Sequence, residues 1–327
     1  MPLAVALGDP AGVGPEIIAK SWERRQAADL PAFFAVGDAD AVAAVWRGPV
    51  QPISDPSEAA GCFAEALPVI RVSAGSPIDP GRPDMEGARN SLDALELAVG
   101  LARSGAAAGL VTGPVSKSQL YAIGFNHAGQ TEFVAERCGV SSELVAMMLV
   151  GPTLRTVPVT VHTAFRDVPD VLTTEAIVAK ARATIRGLQR QFGIEQPRIA
   201  VAGLNPHAGE DGALGREEIE VIAPAIERLR EDGFDVTGPY AADTMFHAKA
   251  RSRYDAALCM YHDQALVPVK TLHFDEGVNM TLGLPIVRTS PDHGTAFGIA
   301  GKGVADPGAM IAALKTASAC ARRIAQA

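Results

Sequence analysis

Several features that mark other protein classes are missing from this chain of 327 residues. It has only four cysteines, far apart and without a C-x-x-C pair, and no apolar run of transmembrane length. It has no lysine and arginine cluster, and its formal net charge of -8 argues against nucleic-acid binding. No hydrophobic leader, repeat or Pro/Gly/Ser-rich linker is present. These absences predict a cytoplasmic protein with reduced thiols, no membrane segment and small-molecule partners.

Short apolar runs alternate with helical patterns along the chain. The runs that read as strands are 3–7, 33–36, 69–72, 110–112, 155–161, 199–204, 256–261 and 285–288. Thr174 to Phe192 and Arg216 to Arg230 each place apolar residues on one helical face, and Ile219 and Ile222 lie on the second of these faces. Near-continuous apolar strands separated by helices predict an α/β fold with a largely parallel sheet covered on both faces. The length favours roughly two domains.

Three histidines stand at the polar ends of strand-like segments. His162 follows the run 156–161, His207 follows 199–206, and His262 follows 256–261. In an open α/β sheet, ligands bind beyond the carboxyl ends of the strands, so three such imidazoles can converge on one point. Three imidazoles leave one coordination position open, as a catalytic divalent cation requires. A helix cap or a core hydrogen bond is the alternative for each histidine alone.

Two glycine-rich segments are candidates for ligand contacts. The first, Gly8 to Glu16, follows a strand and opens a helix, but Ile17 stands where a Rossmann fingerprint has its third glycine. It reads as a tight turn or as a cleft lining in which Asp9 and Glu16 contact substrate or cofactor. The second, Asp292 to Pro307, resembles the segment of isocitrate and isopropylmalate dehydrogenases that binds the adenosine part of NAD(P) without a Rossmann motif.

Seven motifs in one order make the resemblance specific over essentially the whole length. They are G-D-P-A-G-V-G-P-E at 8–16, T-G-P-V-S-K at 112–117, T-E-F at 131–133, N-P-H-A-G-E at 205–210, G-P-Y-A-A-D-T at 238–244, Y-H-D-Q at 261–264, and G-V-N-M-T-L-G-L-P-I-V-R-T-S-P-D-H-G-T-A at 277–296. The chain resembles the 4-hydroxythreonine-4-phosphate dehydrogenase family of pyridoxal phosphate biosynthesis. That family has the isocitrate/isopropylmalate dehydrogenase-like fold of two α/β/α domains with a central cleft.

The resemblance implies a metal site and a homodimer. His162, His207 and His262 would bind a divalent ion such as zinc, magnesium or cobalt. The active site would be completed at the dimer interface, so that His262 serves the partner's site.

The resemblance also implies the sites for substrate and cofactor. The substrate-binding residues would be Gln130, Thr131, Lys270, Asn279 and Arg288. NAD or NADP would be bound by His293, Gly294, Thr295, Ala296 and Gly301. A guanidinium fork, an ammonium and an amide together suit a phosphate monoester.

The implied reaction is oxidation of the secondary alcohol of 4-hydroxythreonine 4-phosphate by hydride transfer to the nicotinamide. The product, 2-amino-3-oxo-4-phosphooxybutanoate, decarboxylates to 3-amino-2-oxopropyl phosphate. Asp243, Asp263 and Lys117 are the candidates for the proton acceptor, and the sequence does not rank them.

The expected domains are 1–125 plus 285–327, with both termini and the cofactor loop, and 126–284, with the metal ligands and dimer contacts. Without an evident linker, the chain should cross between them more than once.

One position departs from the family pattern. The family reads G-H-T-E-F where this chain has Gln130, and glutamine keeps a donor and an acceptor but carries no charge. The first alternative is therefore a related dehydrogenase of another phosphorylated hydroxy acid, such as 4-phosphothreonate, or of a cis-diol. The second is a binding or phosphotransacetylase-like protein with the same architecture, in which the three histidines would have no role.

Overall fold

The computed structural model describes residues 1–72 and 78–326. These residues form two compact units. Unit 1 comprises Met1–Gly139 and Leu284–Gln326, and unit 2 comprises Val140–Gly283. Residues 126–139, which the sequence placed in the second domain, lie in unit 1. They are held there because the Phe133 ring packs on Phe125, with centroids 5.7 Å apart, and because Arg137 pairs with Glu96 at 2.7 Å.

Unit 1 alternates strands and helices. Its elements are β1 Leu3–Ala6, α1 Gly14–Glu23, β2 Phe33–Gly37, α2 Ala39–Val45, β3 Val50–Pro52, a 3-10 turn at Pro56–Glu58, α3 Ala59–Cys62, β4 Leu67–Arg71, α4 Met85–Ser104, β5 Leu110–Thr112, α5 Lys117–Ala122, α6 Gln130–Arg137, β12 Arg288–Pro291 and α12 Gly308–Gln326. Asp84 caps the long helix α4 by accepting from Gly87 N at 2.7 Å, and Gly105 ends it in a left-handed conformation.

The sheet of unit 1 is wholly parallel, with the strand order β3-β4-β2-β1-β5-β12. The order reverses at β1, since β2 lies on one side of it and β5 on the other. In such sheets, the crevice beyond the carboxyl ends at the reversal is where ligands bind. The loops after β1 and β5 are therefore candidates for ligand contact within unit 1.

Unit 2 mixes strand directions. Its elements are a 3-10 turn at Ser142–Leu144, β6 Ala146–Val150, β7 Arg155–Pro158, a 3-10 turn at Phe165–Asp167, α7 Val168–Val171, α8 Thr174–Gly187 extended by a π turn at Leu188–Phe192, β8 Arg198–Ala202, a turn at Pro206–Gly212, a π turn at Glu218–Ile222, α9 Ala223–Glu231, β9 Asp235–Tyr240, a 3-10 turn at Ala242–Thr244, α10 Ala248–Arg251, β10 Ala256–Cys259, α11 His262–His273 and β11 Val278–Leu282.

The sheet of unit 2 has the order β11-β6-β7-β10-β8-β9. β6 pairs antiparallel with both β11 and β7, whereas β7, β10, β8 and β9 run parallel. The predicted α/β class is confirmed. The largely parallel sheet holds for unit 1, and in unit 2 β6 interrupts it.

Two local predictions were wrong. The strand predicted at 285–288 begins only at Arg288, because its partner is β5 and the pairing starts with Arg288 opposite Leu110. Ile219 was placed on a buried helical face but is 44% exposed, because a π turn at Glu218–Ile222 shifts the helical phase and turns Glu218 inward.

Within residues 1–72 and 78–326, none of the helices combines the length and apolar character needed to cross a membrane.

Candidate active site

The three predicted metal-ligating histidines follow three neighbouring strands of unit 2. β10 pairs in parallel with β7 on one side and with β8 on the other, so the carboxyl ends of these strands lie side by side. His162 follows β7, His207 follows β8, and His262 is the first residue after β10 to enter α11. The fold therefore places all three histidines just beyond the ends of strands, as the sequence predicted.

Buried hydrogen bonds tie these strand ends together. The Gln264 side chain accepts from Met260 N at 2.7 Å and donates to Gly203 O at 2.8 Å, which joins the end of β10 to the end of β8. The Thr160 hydroxyl donates to Met260 O at 2.8 Å and so joins β7 to the same point. Because buried networks of this kind are rigid when every member is satisfied, the loops that carry the histidines start from fixed positions.

His207 lies in an unusual left-handed turn. His207, Ala208, Glu210 and Asp211 all have positive φ, between 42° and 53°. Each such non-glycine residue costs on the order of 1 kcal/mol or more, and the cost persists only where the surroundings enforce it. The buried Glu218 carboxylate does so by accepting from Leu204 N at 2.7 Å and from Asn205 N at 2.8 Å.

His262 is half-buried and has a carboxylate partner. Its Nδ1 lies 2.7 Å from Oδ1 of Asp263, a side chain that is itself 77% exposed. A carboxylate on one ring nitrogen of a ligating histidine fixes the tautomer and leaves the other nitrogen as the ligand atom. Asp263 thus acts on the ring of His262, while Asp243 lies exposed in the 3-10 turn Ala242–Thr244.

The described residues of this one chain contain no group of three or more histidine, cysteine or acidic side chains placed to hold a metal ion. The shared ion therefore remains a prediction. The donor set still suits such an ion, since His162 and His207 are exposed and the ring of His262 is oriented by a carboxylate. The expectation that His262 completes the site of a second chain is compatible with this arrangement.

Two predicted phosphate ligands also belong to unit 2. Lys270 is half-buried on α11, and Asn279 is half-buried on β11. The Oδ1 atom of Asn279 is buried and accepts no hydrogen bond from the part of the chain that the structure describes. A buried amide oxygen of this kind commonly has a partner outside the protein chain, such as water or a ligand.

Arg288 lies in a crevice at the strand ends of unit 1. Its side chain is 3% exposed, and its Nη2 donates to Thr112 Oγ1 at 2.8 Å and to Gln130 Oε1 at 3.3 Å. The Gln130 amide in turn donates to Gly113 O at 3.1 Å. We call Thr112, Gly113, Gln130 and Arg288 the Arg288 crevice. Gln130 therefore positions the arginine, a role the sequence did not foresee.

Burial lowers the pKa of Arg288 to about 10, and the nearby Glu132 carboxylate opposes this shift. The guanidinium consequently stays protonated near neutral pH. The Oε2 atom of Glu132 is buried and, within the described residues, accepts no hydrogen bond. These residues thus hold a desolvated cation with a carboxylate nearby.

Lys117 and Thr131 border the same region. A Cβ atom built on Gly129 would lie 3.3 Å from Glu132 Oε2 and 3.7 Å from Lys117 Nζ, so both charged side chains lie close to the start of α6. Thr131, the second residue of α6, is half-buried. Lys117 is exposed at the first position of α5 and can reach a bound ligand.

The predicted cofactor segment lies between β12 and α12 in unit 1. His293 and Gly294 are exposed, and the ring Nδ1 of His293 lies 3.0 Å from Gly294 O. Thr295 O accepts from Val13 N at 2.9 Å, Ala296 has a φ of 46°, and Gly301 has a φ of 72°. The segment is thus exposed at His293 and Gly294, and its contacts with a cofactor stay a prediction.

The sequence named Asp9 only as a candidate cleft lining. The structure buries it to 2% exposure, and burial raises the pKa of its carboxyl to about 6, an effect that the hydrogen bond from Ala11 N opposes and that Asp84 increases. Asp9 N also donates to Pro114 O at 2.9 Å, which places the residue beside the loop after β5. A raised carboxyl pKa at a strand-end crevice is typical of functional sites.

The family described as "Pyridoxal phosphate biosynthetic protein PdxA" matches residues 29–317. A 4-hydroxythreonine-4-phosphate dehydrogenase from Zymomonas mobilis is 55% identical over 317 residues, which cover 97% of this chain and 95% of that protein. The chain belongs to the PdxA family. This confirms the resemblance inferred from the seven motifs, and the dehydrogenase names confirm the expectation of an oxidoreductase.

Solved structures of similar proteins agree with the fold. The crystal structure of 4-hydroxythreonine-4-phosphate dehydrogenase from Klebsiella pneumoniae has a TM-score of 0.87 and 36% identity, and the match covers 98% of this chain and 99% of that one. A terephthalate 1,2-cis-dihydrodiol dehydrogenase from Burkholderia xenovorans has a TM-score of 0.65 and 29% identity, and covers 98% of each chain. The diol alternative thus has a structural relative, whereas phosphotransacylases share only the fold with this chain.

Proposed function

We propose that this protein oxidises 4-hydroxythreonine 4-phosphate with NAD or NADP in pyridoxal phosphate biosynthesis. The observation that carries the proposal is the 55% identity over 97% of the chain to a protein of that name. The oxidation yields 2-amino-3-oxo-4-phosphooxybutanoate. Because its carboxylate is β to the new ketone, loss of carbon dioxide to give 3-amino-2-oxopropyl phosphate needs no additional cofactor.

The substrate phosphate is assigned to Arg288, together with Lys270 and Asn279. Arg288 supports this assignment because it is a buried, protonated guanidinium whose orientation Thr112 and Gln130 fix. A guanidinium fork recognises phosphate oxygens in a bidentate manner. Gln130 and Thr131 complete the substrate contacts in this proposal.

The metal is assigned to His162, His207 and His262, with His262 acting in the site of the second subunit of a homodimer. A bound zinc, magnesium or cobalt ion would lower the pKa of the substrate alcohol and stabilise developing negative charge. Asp263 holds the His262 ring through Nδ1, and the Glu218 carboxylate fixes the start of the His207 loop. The protein thus supplies oriented imidazoles.

The alcohol proton requires an acceptor near the reacting carbon. Asp243, Asp263 and Lys117 remain the candidates, and Asp263 is the one that already contacts a proposed metal ligand.

The cofactor is assigned to His293, Gly294, Thr295, Ala296 and Gly301. We also place this homodimer in the cytoplasm.

Absorbance of NADH or NADPH formed by the purified protein tests this proposal. The panel consists of 4-hydroxythreonine 4-phosphate, 4-phosphothreonate and a terephthalate cis-dihydrodiol, each with and without a metal chelator. We expect reduction of the nicotinamide with the first compound, and loss of the activity on chelation with recovery on adding a divalent ion. Activity confined to the diol would contradict the assignment, and activity that survives complete metal removal would contradict the metal site.

A second candidate function is the oxidation of a cis-diol, which the Burkholderia xenovorans relative favours. The terephthalate dihydrodiol carries carboxylates that can also pair with the buried Arg288, so the substrate panel above decides between the two functions.

A further inference from the structure

The Gly8–Glu16 loop contacts the segment to which the cofactor is assigned. Val13 N donates to Thr295 O at 2.9 Å. A Cβ atom on Gly12 would lie only 3.0 Å from that same oxygen, so the two segments approach more closely than most side chains allow. The Gly8–Glu16 loop therefore supports the segment 292–307 by direct contact. A dinucleotide fingerprint, in contrast, would bind the cofactor itself.

Glu16 and Lys20, one turn apart on α1, extend this contact. Lys20 Nζ donates to Glu16 Oε1 at 2.8 Å, to Gly303 O at 2.9 Å and to Ala305 O at 2.7 Å. Ala305 N donates to Glu16 Oε1 at 3.0 Å. Two charged side chains thus bind three backbone groups of a three-residue stretch, and we call this arrangement the Glu16–Lys20 clamp.

The clamp is a costly way to hold a loop. Glu16 is 1% exposed, and its Oε2 accepts no hydrogen bond within the described residues. A buried carboxylate with an unsatisfied oxygen is seldom more stabilising than apolar packing, and apolar packing is at hand because Ile17 and Ile18 on the same helix are buried. The specific effect of the ion pair is to fix the backbone position of residues 303–305.

The cofactor segment has little packing of its own to set its shape. Residues 301–304 are all exposed, and Gly301 and Gly303 have left-handed φ values of 72° and 70°. A glycine-rich, exposed segment loses much conformational entropy when it is ordered. Its ordering before cofactor binding therefore depends on contacts with the rest of unit 1, such as the hydrogen bond from Val13 N to Thr295 O, and the Glu16–Lys20 clamp supplies three such contacts at residues 303–305.

We propose that Glu16 and Lys20 are positioning residues for the nicotinamide cofactor. They hold residues 303–305 in place and so preorganise the segment 293–301, which raises the affinity for NAD or NADP without touching the substrate. This inference rests on the proposed function, because that function assigns the cofactor to this segment.

The clamp is tested by titrating NADH and NADPH into the full-length protein without substrate and measuring the fluorescence of the nucleotide. Lys20→Met removes three hydrogen bonds, and Glu16→Gln keeps the shape while removing the charge. We expect the Kd of the preferred nucleotide to rise about tenfold or more in Lys20→Met, as the loss of charged hydrogen bonds implies. The KM for 4-hydroxythreonine 4-phosphate at saturating cofactor should change by less than about threefold.

Arg71→Met is the matched control. It breaks the exposed ion pair between Arg71 and Asp40, which are 3.0 Å apart in the same unit and lie outside the clamp in sequence. Its nucleotide Kd should equal that of the wild type. Hydrogen exchange of peptides covering 293–305 supplies a readout that needs no cofactor. Exchange there should accelerate in both clamp variants, while peptides from α8 report that the rest of the chain is folded.

The outcomes separate the two proposals. Faster exchange at 293–305 with a wild-type nucleotide Kd would overturn the positioning role and leave the dehydrogenase function standing. Unchanged exchange would overturn the clamp itself. A wild-type protein that binds neither NADH nor NADPH would overturn the cofactor assignment on which the inference rests.

Discussion

Arg288 shows how one residue prepares a site for an anion. Its guanidinium is desolvated, which lowers its pKa to about 10 and makes its charge more costly than that of a surface arginine. Two of its hydrogen-bond partners, Thr112 Oγ1 and Gln130 Oε1, are neutral oxygens. A phosphate dianion is a far stronger partner for such a cation than either, so the residue gains most when the proposed substrate is bound.

Replacing Arg288 with alanine should therefore raise KM for the phosphorylated substrate. The loss of transition-state binding should be about 2 to 5 kcal/mol, measured as the change in kcat/KM. Arg288→Lys keeps the positive charge but loses the forked guanidinium, so its kcat/KM should lie between those of the wild type and Arg288→Ala. If Arg288→Ala retained the wild-type preference for phosphorylated over unphosphorylated substrate, the phosphate would bind elsewhere.

Asp9 makes stability depend on pH in the opposite direction from most carboxylates. Its pKa rises from 3.8 to about 6 in the folded state. Between these values the folded state binds more protons than the unfolded state, so stability falls as pH rises through this window. Above about pH 6 the full cost of the buried charge is present.

Asp9→Asn should remove that cost, since an amide oxygen can still accept the hydrogen bond from Ala11 N. We expect the free energy of unfolding near neutral pH to increase by roughly 1 to 3 kcal/mol. Denaturant unfolding at about pH 4 and about pH 8 would show the gain only at the higher pH. An equal change at both values would mean that Asp9 does not titrate in this range.

Individual site residues were predictable to different degrees. The three histidines were visible because each ends an apolar run, and this pattern survives folding unchanged. The pKa of Asp9 was not, because it depends on burial in the folded chain and on the charge of Asp84. The partners of Lys20 were not either, because they include backbone oxygens of residues 303 and 305, remote in sequence. Gln130 was placed against the substrate by resemblance, whereas its bonds to Arg288 and Gly113 O appear only in three dimensions.

At the scale of the element, the His207 turn depends on a buried carboxylate. Glu218 satisfies the amides of Leu204 and Asn205, and its own burial requires the π turn that exposes Ile219. A Cβ atom on Gly209 would lie 2.6 Å from Glu218 Oε2, so the turn and the carboxylate fit each other closely. Further hydrogen bonds hold the turn, from Asn205 Nδ2 to Glu217 Oε2 at 2.6 Å and from Leu214 N to Gly209 O at 3.0 Å, so Glu218 is the buried member of a wider network.

Glu218→Gln should loosen the turn and weaken the proposed metal site. We expect the affinity for zinc, measured by competition with a chelator, to fall roughly 10- to 100-fold, which is typical for the loss of a group that orients a ligand. Glu220→Gln is the control and should leave the affinity for zinc unchanged, because Glu220 lies on the same π turn as Glu218 but its side chain is exposed. A Glu218→Gln protein with wild-type zinc affinity would separate the turn from the metal.

The strands that are apolar along their whole length were predicted from the sequence. The strands that form only because they pair with another strand were missed. Strands β1, β2 and β5 are buried on both faces and were found. β9 carries Gly238-Pro239, and β3 consists of Val-Gln-Pro with its last two residues exposed, so neither has a strand pattern of its own. β11 and β6 form because they pair with each other in antiparallel register, a contact between distant segments that local periodicity does not encode.

At the scale of the whole molecule, the proposed homodimer shares its metal sites. His162→Ala and His262→Ala should each be inactive alone. After joint unfolding and refolding, half of the dimers are mixed and one of the two sites in each mixed dimer is intact, so about a quarter of wild-type activity should return. No recovery in the mixture, with mixed dimers demonstrated by mass, would mean that His262 serves its own subunit.

The most direct test of the proposed function is the steady-state comparison of 4-hydroxythreonine 4-phosphate with 4-phosphothreonate. The structure shows Gln130 bonded to Arg288 and Gly113 O, so it should support phosphate binding by holding Arg288 in place. We predict that the wild type prefers 4-hydroxythreonine 4-phosphate, and that Gln130→His changes its kcat/KM by less than about tenfold, since one neutral hydrogen bond is worth on the order of 1 kcal/mol. A wild-type preference for 4-phosphothreonate of about a hundredfold or more, equivalent to roughly 2.7 kcal/mol, would contradict the assigned substrate.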